Sequence, residues 1–292
     1  MGLFTGKTGL VLGVANEYSI AWAIARQLMD QGATVGFTHL PGDKMERRVK
    51  KLLDPLGSHF LTPCDVQSDD DVKRALSAAG EAMGGLDFVL HSIAFAPLED
   101  LKASFVDCSR AGFLKAMDIS VYSLAAVSRA AAAVMPRGGS ILTLTYLGGE
   151  RVIPGYNLMG VCKAALDAST KYLAADLGAK KIRVNALSAG PVKTLAASAV
   201  GDHDRLAGLY ELVAPLARNV DRDEVGAAGM FLLSDLASGI SGELMHVDCG
   251  YHAMGSPGKG FDQLKATILE RVKAIDPGVA ARLQADAEFN RF

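Results

Sequence analysis

The feature that most constrains this chain is the regular return of short apolar runs, each followed by a stretch with helical spacing. Gly9-Leu10-Val11-Leu12 ends at Gly13, and Ile20, Ile24 and Leu28 then recur at helical intervals until Gly32 stops the helix. Thr34-Val35-Gly36-Phe37 follows as a strand, then a charged helix over 43–53, then His59-Phe60-Leu61 closing on Cys64-Asp65-Val66. The alternation continues with a helix over 69–83, the strand Phe88-Val89-Leu90-His91, a long helix over 113–135 and a strand over 140–146. A helix over 159–177, a strand over 182–186, a helix over 225–233 and a strand over 243–247 complete the series. Strands held apart by roughly 10–25 residues of helix cannot form hairpins and pair in parallel through right-handed crossovers.

The pattern therefore predicts the α/β class: a single-domain, doubly wound parallel sheet of about seven strands, of Rossmann type, over residues 1–250. Beyond Gly250 the composition shifts. Gly255-Ser256-Pro257-Gly258 precedes an amphipathic stretch with Leu264, Ile268, Val272 and Ile275, so 251–292 reads as a partly helical appendage docked on the domain or on a neighbouring subunit. Half of the residues are hydrophobic and 21% are charged, which suits a buried core and not a disordered chain. The formal net charge of -2 gives no field to hold nucleic acid or an anionic membrane. No run of roughly 18 uncharged apolar residues occurs; the nearest, 124–135, is interrupted by Arg129. Met1-Gly2-Leu3-Phe4-Thr5-Gly6 lacks a charged-then-apolar signal layout, so the expected address is cytoplasmic. Cys64, Cys108, Cys162 and Cys249 lie far apart with no Cys-x-x-Cys pair, which favours small reduced core residues over a disulfide scaffold or a metal site.

Ligands of such sheets bind at the carboxyl ends of the strands, so the residues that follow the strands carry the chemistry. Gly13 follows the first strand, and the helix starting near Ser19 and Ile20 offers free N–H groups to a pyrophosphate. The G-x-G-x-x-G fingerprint fails, because Ala15 and Tyr18 stand where it needs glycine, and a single Gly after a strand is also an ordinary turn. Asp65-Val66 after the third strand can offer a carboxylate and an N–H to an adenine, although Asp65 serves equally as a helix cap. Ser92-Ile93-Ala94 after the fourth strand supplies small, close-approach backbone. After the second strand come Thr38, His39, Leu40 and Pro41, with no acid to grip a ribose and no cation immediately there for a 2′-phosphate, which points to NADH over NADPH unless Lys44, Arg47 or Arg48 curls back from the following helix.

Behind the fifth strand lie Tyr146 and Tyr156, and Lys163 follows Tyr156 by two helical turns, placing both on one helix face. An ammonium beside a phenol holds it as a strong donor and stabilises oxyanion charge nearby, which suits reduction chemistry. An aromatic packed at an edge and a solvated lysine would explain the same pair taken alone.

Taken together, Gly13 with Ser19-Ile20-Ala21, Asp65-Val66, His91-Ser92-Ile93, Tyr146-Leu147-Gly148, Tyr156-Asn157 with Lys163, and Arg183-Val184-Asn185-Ala186 before Ser188-Ala189-Gly190-Pro191 resemble the FabI-type enoyl-acyl-carrier-protein reductases, a divergent branch of the short-chain dehydrogenase/reductases. The resemblance runs from about Leu3 to Gly250, and its most specific element is the six-residue gap between Tyr156 and Lys163. Ordinary short-chain reductases would need Lys at 160, where this chain has Gly160.

The resemblance implies NADH-dependent reduction of a trans-2-enoyl thioester on acyl-carrier protein in fatty acid biosynthesis, by a homotetramer. It implies that Tyr156 donates to the thioester carbonyl, that Lys163 holds the nicotinamide ribose and that Tyr146 stands beside the substrate. Gly13, Ser19, Ile20, Asp65, Val66, Ser92, Ile93, Ala94, Val192 and Thr194 fall at dinucleotide positions, and Met159, Ala196 and Ala197 at substrate positions, with 194–212 as a flap over the acyl chain. Subunit contacts are expected on the helix bearing Ala164, Leu166 and Leu173, or on the last helix and strand. Ala94 and Cys249 stand where the family commonly has glycine, and the tail past Gly250 exceeds its usual length. A ketoreductase and a non-catalytic dinucleotide sensor are the rival functions; Gly160 weighs against the first, and the joint presence of Tyr146, Tyr156, Lys163 and Thr194 against the second.

Overall fold

The computed structural model describes residues 2–57, 59–192, 194, 203–257 and 260–286. Its strands are β1 (Thr8–Leu12), β2 (Thr34–His39), β3 (Leu61–Pro63), β4 (Phe88–His91), β5 (Gly139–Thr145), β6 (Ile182–Ala189) and β7 (Leu244–Val247). They form one seven-stranded sheet in the order β3-β2-β1-β4-β5-β6-β7, every pair parallel. The helices are α1 (Ile20–Asp30), α2 (Asp43–Leu53), α3 (Asp69–Met83), α4 (Leu98–Lys102), α5 (Arg110–Met117), α6 (Ser123–Val134), α7 (Asn157–Gly178), α8 (His203–Val213), α9 (Arg222–Leu233), α10 (Gly260–Ile275) and α11 (Pro277–Ala285).

Burial on both faces makes β1 and β4 nearly continuous apolar runs, while the neighbouring strands also bury polar residues such as Thr38, Ser140, Thr143 and Asn185. Side chains alternate between two cores. Val11, Phe37, Leu90, Leu142 and Leu187 point to the side covered by α1 and α9, whereas Leu10, Leu12, Val89, Ile141 and Val184 point to the side covered by α3, α6 and α7. Helix starts are fixed locally: Ser68 accepts the Asp71 N–H ahead of α3, whose first turn carries Asp69, Asp70 and Asp71. Asp221 and Glu224 form a reciprocal capping box at α9. The order reverses between β1 and β4, so the crevice of the sheet opens above Leu12-Gly13 and His91-Ser92.

Several expectations need correction. The helix expected as one element over 113–135 begins at Arg110 and is interrupted by a π-helical turn, Asp118–Tyr122. The third strand covers only Leu61–Pro63, because at this sheet edge His59 and Phe60 lie outside the ladder, although the Phe37 N–H still donates to the Phe60 carbonyl. The sixth strand continues past Ala186 to Ala189. Leu166, expected between subunits, is fully buried in the core of its own chain, and Leu173 packs against the same cluster. By length and composition alone the helical run Arg110–Val134 could cross a membrane. Here Leu124, Val127 and Ala131 face the sheet and Arg129 pairs with Asp69 across to α3, as in a core helix. In the tail, α10 and α11 pack on each other and α10 touches α8, while Leu264 and Ile268 stay partly exposed.

Leu166→Ala should lower the unfolding free energy by about 2–5 kcal/mol, the usual cost of a buried leucine and the cavity it leaves. Denaturant midpoints at fixed protein concentration measure it, and an unchanged midpoint would remove Leu166 from the core.

Candidate active site

All the strand-end residues singled out by sequence meet at the carboxyl edge of the sheet, because parallel strands deliver their following loops to one side. Gly13 closes the crevice most tightly. Its φ of 98° lies in the left-handed region, and a Cβ there would run into the Ser92 carbonyl oxygen. Between Gly13 and α1 the loop is shaped by Ser19, whose Oγ accepts the N–H groups of Ala15 and Asn16 at 3.1 Å each. At the start of α1 the Trp22 and Ala23 N–H groups donate to the Ser19 carbonyl, which leaves those of Ile20 and Ala21 outside the helix's own ladder. Ile20 and Val192 pack on the core beside α1, and Val66 and Ile93 on the core of the other face. Ala94 is exposed, and Asp65 accepts the Gln67 N–H at 3.0 Å as a turn cap. These small residues and open N–H groups fit a dinucleotide. At the end of β2, His39 is buried with Nδ1 within 3.0 Å of the Leu40 carbonyl, and Arg47 Nε donates back to the Asp43 carbonyl of its own helix.

On the far side of the crevice, α7 lies against the turn that follows β5. A Cβ on Gly148 would strike the Tyr156 ring, one on Gly160 would lie 2.8 Å from the Gly148 carbonyl oxygen, and one on Gly149 would lie 2.6 Å from an Asp167 carboxyl oxygen. This seam of three glycines lets the helix close on the turn. Tyr156 is the N-cap of α7, and the next residue, Asn157, holds a left-handed φ of 35°. That strain is fixed by its side-chain amide, which donates to the carbonyls of Leu101 (2.9 Å) and Ala103 (2.6 Å). The rings of Tyr146 and Tyr156 meet edge-on, 4.8 Å between centroids. Burial pushes both phenols up, Tyr146 to about 12, so both are neutral donors at ordinary pH. No hydrogen bond among the described residues engages the Tyr156 hydroxyl.

Lys163 is buried, and its Nζ donates to the Leu144 carbonyl of β5 at 2.8 Å. Two ammonium protons remain for other acceptors. Desolvation lowers its pKa to about 8, opposed by the charge of Asp167 one turn later. Burial in turn lifts Asp167 to about 6, opposed by the neighbouring Thr145 hydroxyl and by the Lys163 charge. Beneath this pair His91 is held neutral, its pKa pushed down to about 3 by burial and then by Lys163. Its Nδ1 lies 3.0 Å from the Thr143 hydroxyl and its Nε2 2.8 Å from that of Ser123, which itself donates to the Ile119 carbonyl. Ser123 thus accepts the Nε2 proton, a tautomer assigned from the network.

Not every candidate is so placed. Met159 is buried among Leu101, Leu158 and Cys162. Thr194 is described but Ala196 and Ala197 lie outside the described residues, as does much of the expected flap 194–212. Sequence reasoning missed Asn157, Asp167 and Tyr210. Asp167 could have been found as the acid one turn beyond Lys163 on the same face; the other two have no local signal.

Residues 13–252 match the family described as Enoyl-(Acyl carrier protein) reductase. Among similar proteins, the Bacillus cereus enoyl-[acyl-carrier-protein] reductase [NADH] FabI is 52% identical over 257 residues, 87% of this chain and 100% of its own. The Rhizobium meliloti enoyl-[acyl-carrier-protein] reductase [NADH] 1 is 51% identical, covering 92% of this chain and 98% of its own. A crystal structure of the Anaplasma phagocytophilum enoyl-(acyl-carrier-protein) reductase in complex with NAD superposes with a TM-score of 0.83 at 48% identity, over 87% of this chain and 97% of that one.

The depressed Lys163 has a consequence for stability. Between about pH 8 and 10.5 the unfolded chain holds a proton that the folded chain has lost, so this residue makes stability rise with pH through that window. The gain over the whole window is about 3 kcal/mol. Above pH 10 the raised tyrosines act in the opposite direction, so denaturant midpoints at pH 7.5 and 9.5 are the comparison. The rise should shrink in Lys163→Met, and an identical rise in both proteins would contradict the burial of a charged Lys163.

Proposed function

The chain belongs to the enoyl-(acyl carrier protein) reductase family and is an NADH-dependent enoyl-acyl-carrier-protein reductase of fatty acid biosynthesis, and from that activity we propose which of its residues do the work. When bound, NADH supplies hydride to the β-carbon of the enoyl thioester. Charge then develops on the thioester oxygen as an enolate, and that oxygen needs a donor already in place. Tyr156 is that donor: its hydroxyl is uncommitted among the described residues, burial keeps it protonated, and the Asn157 clamp fixes the chain that carries it. Lys163 adds positive charge and offers its two remaining protons to the nicotinamide ribose, while its bond to Leu144 fixes its height above β5.

Tyr146 stands beside the substrate, edge-on to Tyr156. Gly13, Ser19, Ile20, Asp65, Val66, Ser92, Ile93, Ala94, Val192 and Thr194 line the dinucleotide crevice, and Met159, Ala196 and Ala197 belong to the acyl side under a flap over 194–212. The close Gly13–Ser92 approach is the observation that best supports this crevice. Residues 1–250 form the catalytic unit and 251–292 the appendage, in a cytoplasmic homotetramer. The exposed stripe Ala164, Ala168 and Tyr172 on α7, the last 76% exposed, is the face of that helix left for a neighbouring subunit once Leu166 is spent inside.

Tyr156→Phe should lower kcat by roughly 10²–10³, the usual loss for one oxyanion donor, with little change in KM for a crotonyl thioester. Lys163→Ala should also raise KM for NADH. Acetoacetyl thioester should not be reduced, and kcat/KM should favour NADH over NADPH. Turnover of acetoacetyl thioester at the crotonyl rate would transfer the case to the ketoreductase reading, and a monomer mass by light scattering with full activity would remove the tetramer.

A further inference from the structure

Tyr146 is not left to itself at the edge of the site. The hydroxyl of Tyr210, on α8, donates to the Tyr146 hydroxyl oxygen at 3.1 Å. Tyr210 is 1% exposed, so its phenol is as buried as any core side chain, and Tyr146 is the partner that satisfies its polar end. The ring is held separately from the hydroxyl. It stacks on Tyr251 with centroids 3.6 Å apart and planes 9° from parallel.

Tyr251 is fixed in its turn by the loop that Asp248 organises. Asp248 accepts the N–H groups of Gly250 and His252 and pairs with the His252 ring at 2.9 Å. The segment that follows α8 is tied to the same loop, since the Leu216 N–H donates to the Cys249 carbonyl. Cys249 itself adopts a left-handed φ of 58°. From the other side α10 of the tail comes up against α8, where a Cβ on Gly260 would run into the Leu212 carbonyl oxygen. The helix carrying Tyr210 is therefore clamped at three places, and the hydroxyl it aims at Tyr146 is a fixed one.

We propose that Tyr210 is a positioning residue for the reduction, which holds the Tyr146 hydroxyl by donating to its oxygen and so leaves the Tyr146 proton free to point at the substrate. The inference rests on the placement of Tyr146 beside the substrate. Its physical basis is that a hydroxyl whose lone pair is taken by a neighbour keeps one orientation and becomes the better donor. Burial and then the interaction with Tyr146 keep the Tyr210 phenol protonated, and the bond from Tyr210 partly offsets the upward effect of burial on Tyr146. On this reading Tyr210 acts through Tyr146.

Tyr210→Phe, Tyr146→Phe and the double variant, assayed with crotonyl thioester and NADH, test this. Tyr210→Phe keeps the ring on Tyr251 and should retain the wild-type Tm, yet lose about three- to tenfold in kcat with KM little changed, the scale of one neutral hydrogen bond. The double variant should be no slower than Tyr146→Phe alone. Tyr210→Leu, which also loses the stack, should lower Tm as well, separating the structural part from the hydroxyl. If Tyr146→Phe slows the enzyme but Tyr210→Phe stays within twofold of wild type or runs faster, the inference is overturned and the placement of Tyr146 stands. Effects that multiply in the double variant overturn it also, because Tyr210 would then act independently. A wild-type kcat in Tyr146→Phe overturns the placement of Tyr146 and the inference with it.

Discussion

The site depends on how closely α7 can approach the turn after β5. Gly148, Gly149 and Gly160 remove the side chains that would hold the two apart, and the helix settles against backbone. Only at that separation can the Lys163 ammonium reach the Leu144 carbonyl, the Tyr156 ring meet Tyr146, and the Asp167 carboxyl sit over Gly149. The contact brings an ammonium into the interior with a carbonyl, and not a carboxylate, as its direct partner. The cost of that desolvation is expressed in the pKa of Lys163 and in the neutral state of His91 below it.

Around this contact the electrostatics are graded. Lys163 carries charge at pH 7, Asp167 is raised toward neutrality, and the tyrosines and His91 are neutral. In the proposed reduction this order would serve charge developing on a substrate oxygen, since the phenols are protonated and the cation is held in fixed geometry. The proposed dinucleotide crevice works by space instead. Gly13 and Ser92 bring β1 and β4 together at the reversal of strand order, and Ser19 folds its loop inward, its hydroxyl accepting from Ala15 and Asn16 and its carbonyl from Trp22 and Ala23.

Much of this was legible in the sequence because parallel strands put all their following loops on one edge; Gly13, Asp65, Ser92 and Tyr146 could be gathered by finding the strands. Tyr156 and Lys163 were legible because helical spacing is a local property. Residues whose role depends on another element were not. His91 sits inside a continuous apolar strand, and only Thr143 from β5 and Ser123 from α6 make it a fixed neutral ring. Tyr210 reaches Tyr146 across the fold, with nothing near it in sequence to mark it. Leu166 and Leu173 show the converse limit: apolar positions on a helix look alike whether they face their own core or a neighbour, and burial assigns them to the core.

The π-helical turn Asp118–Tyr122 sets the phase of the long helical run it interrupts. Each residue of an α-helix turns the chain by about 100°, so the wider turn offsets the face presented by α6 from the one α5 would have continued. On one side of that offset Ser120 grips Phe95, donating to its carbonyl and accepting its N–H at 2.9 Å each, which fixes the loop following β4. On the other, Ser123 meets His91 and α6 lays Leu124, Val127 and Ala131 on the sheet. One helix thus keeps two registers, one keyed to a loop and one to the core. Removing a single residue from the turn would rotate one register against the other, so its length is as strict as the identity of any side chain in it.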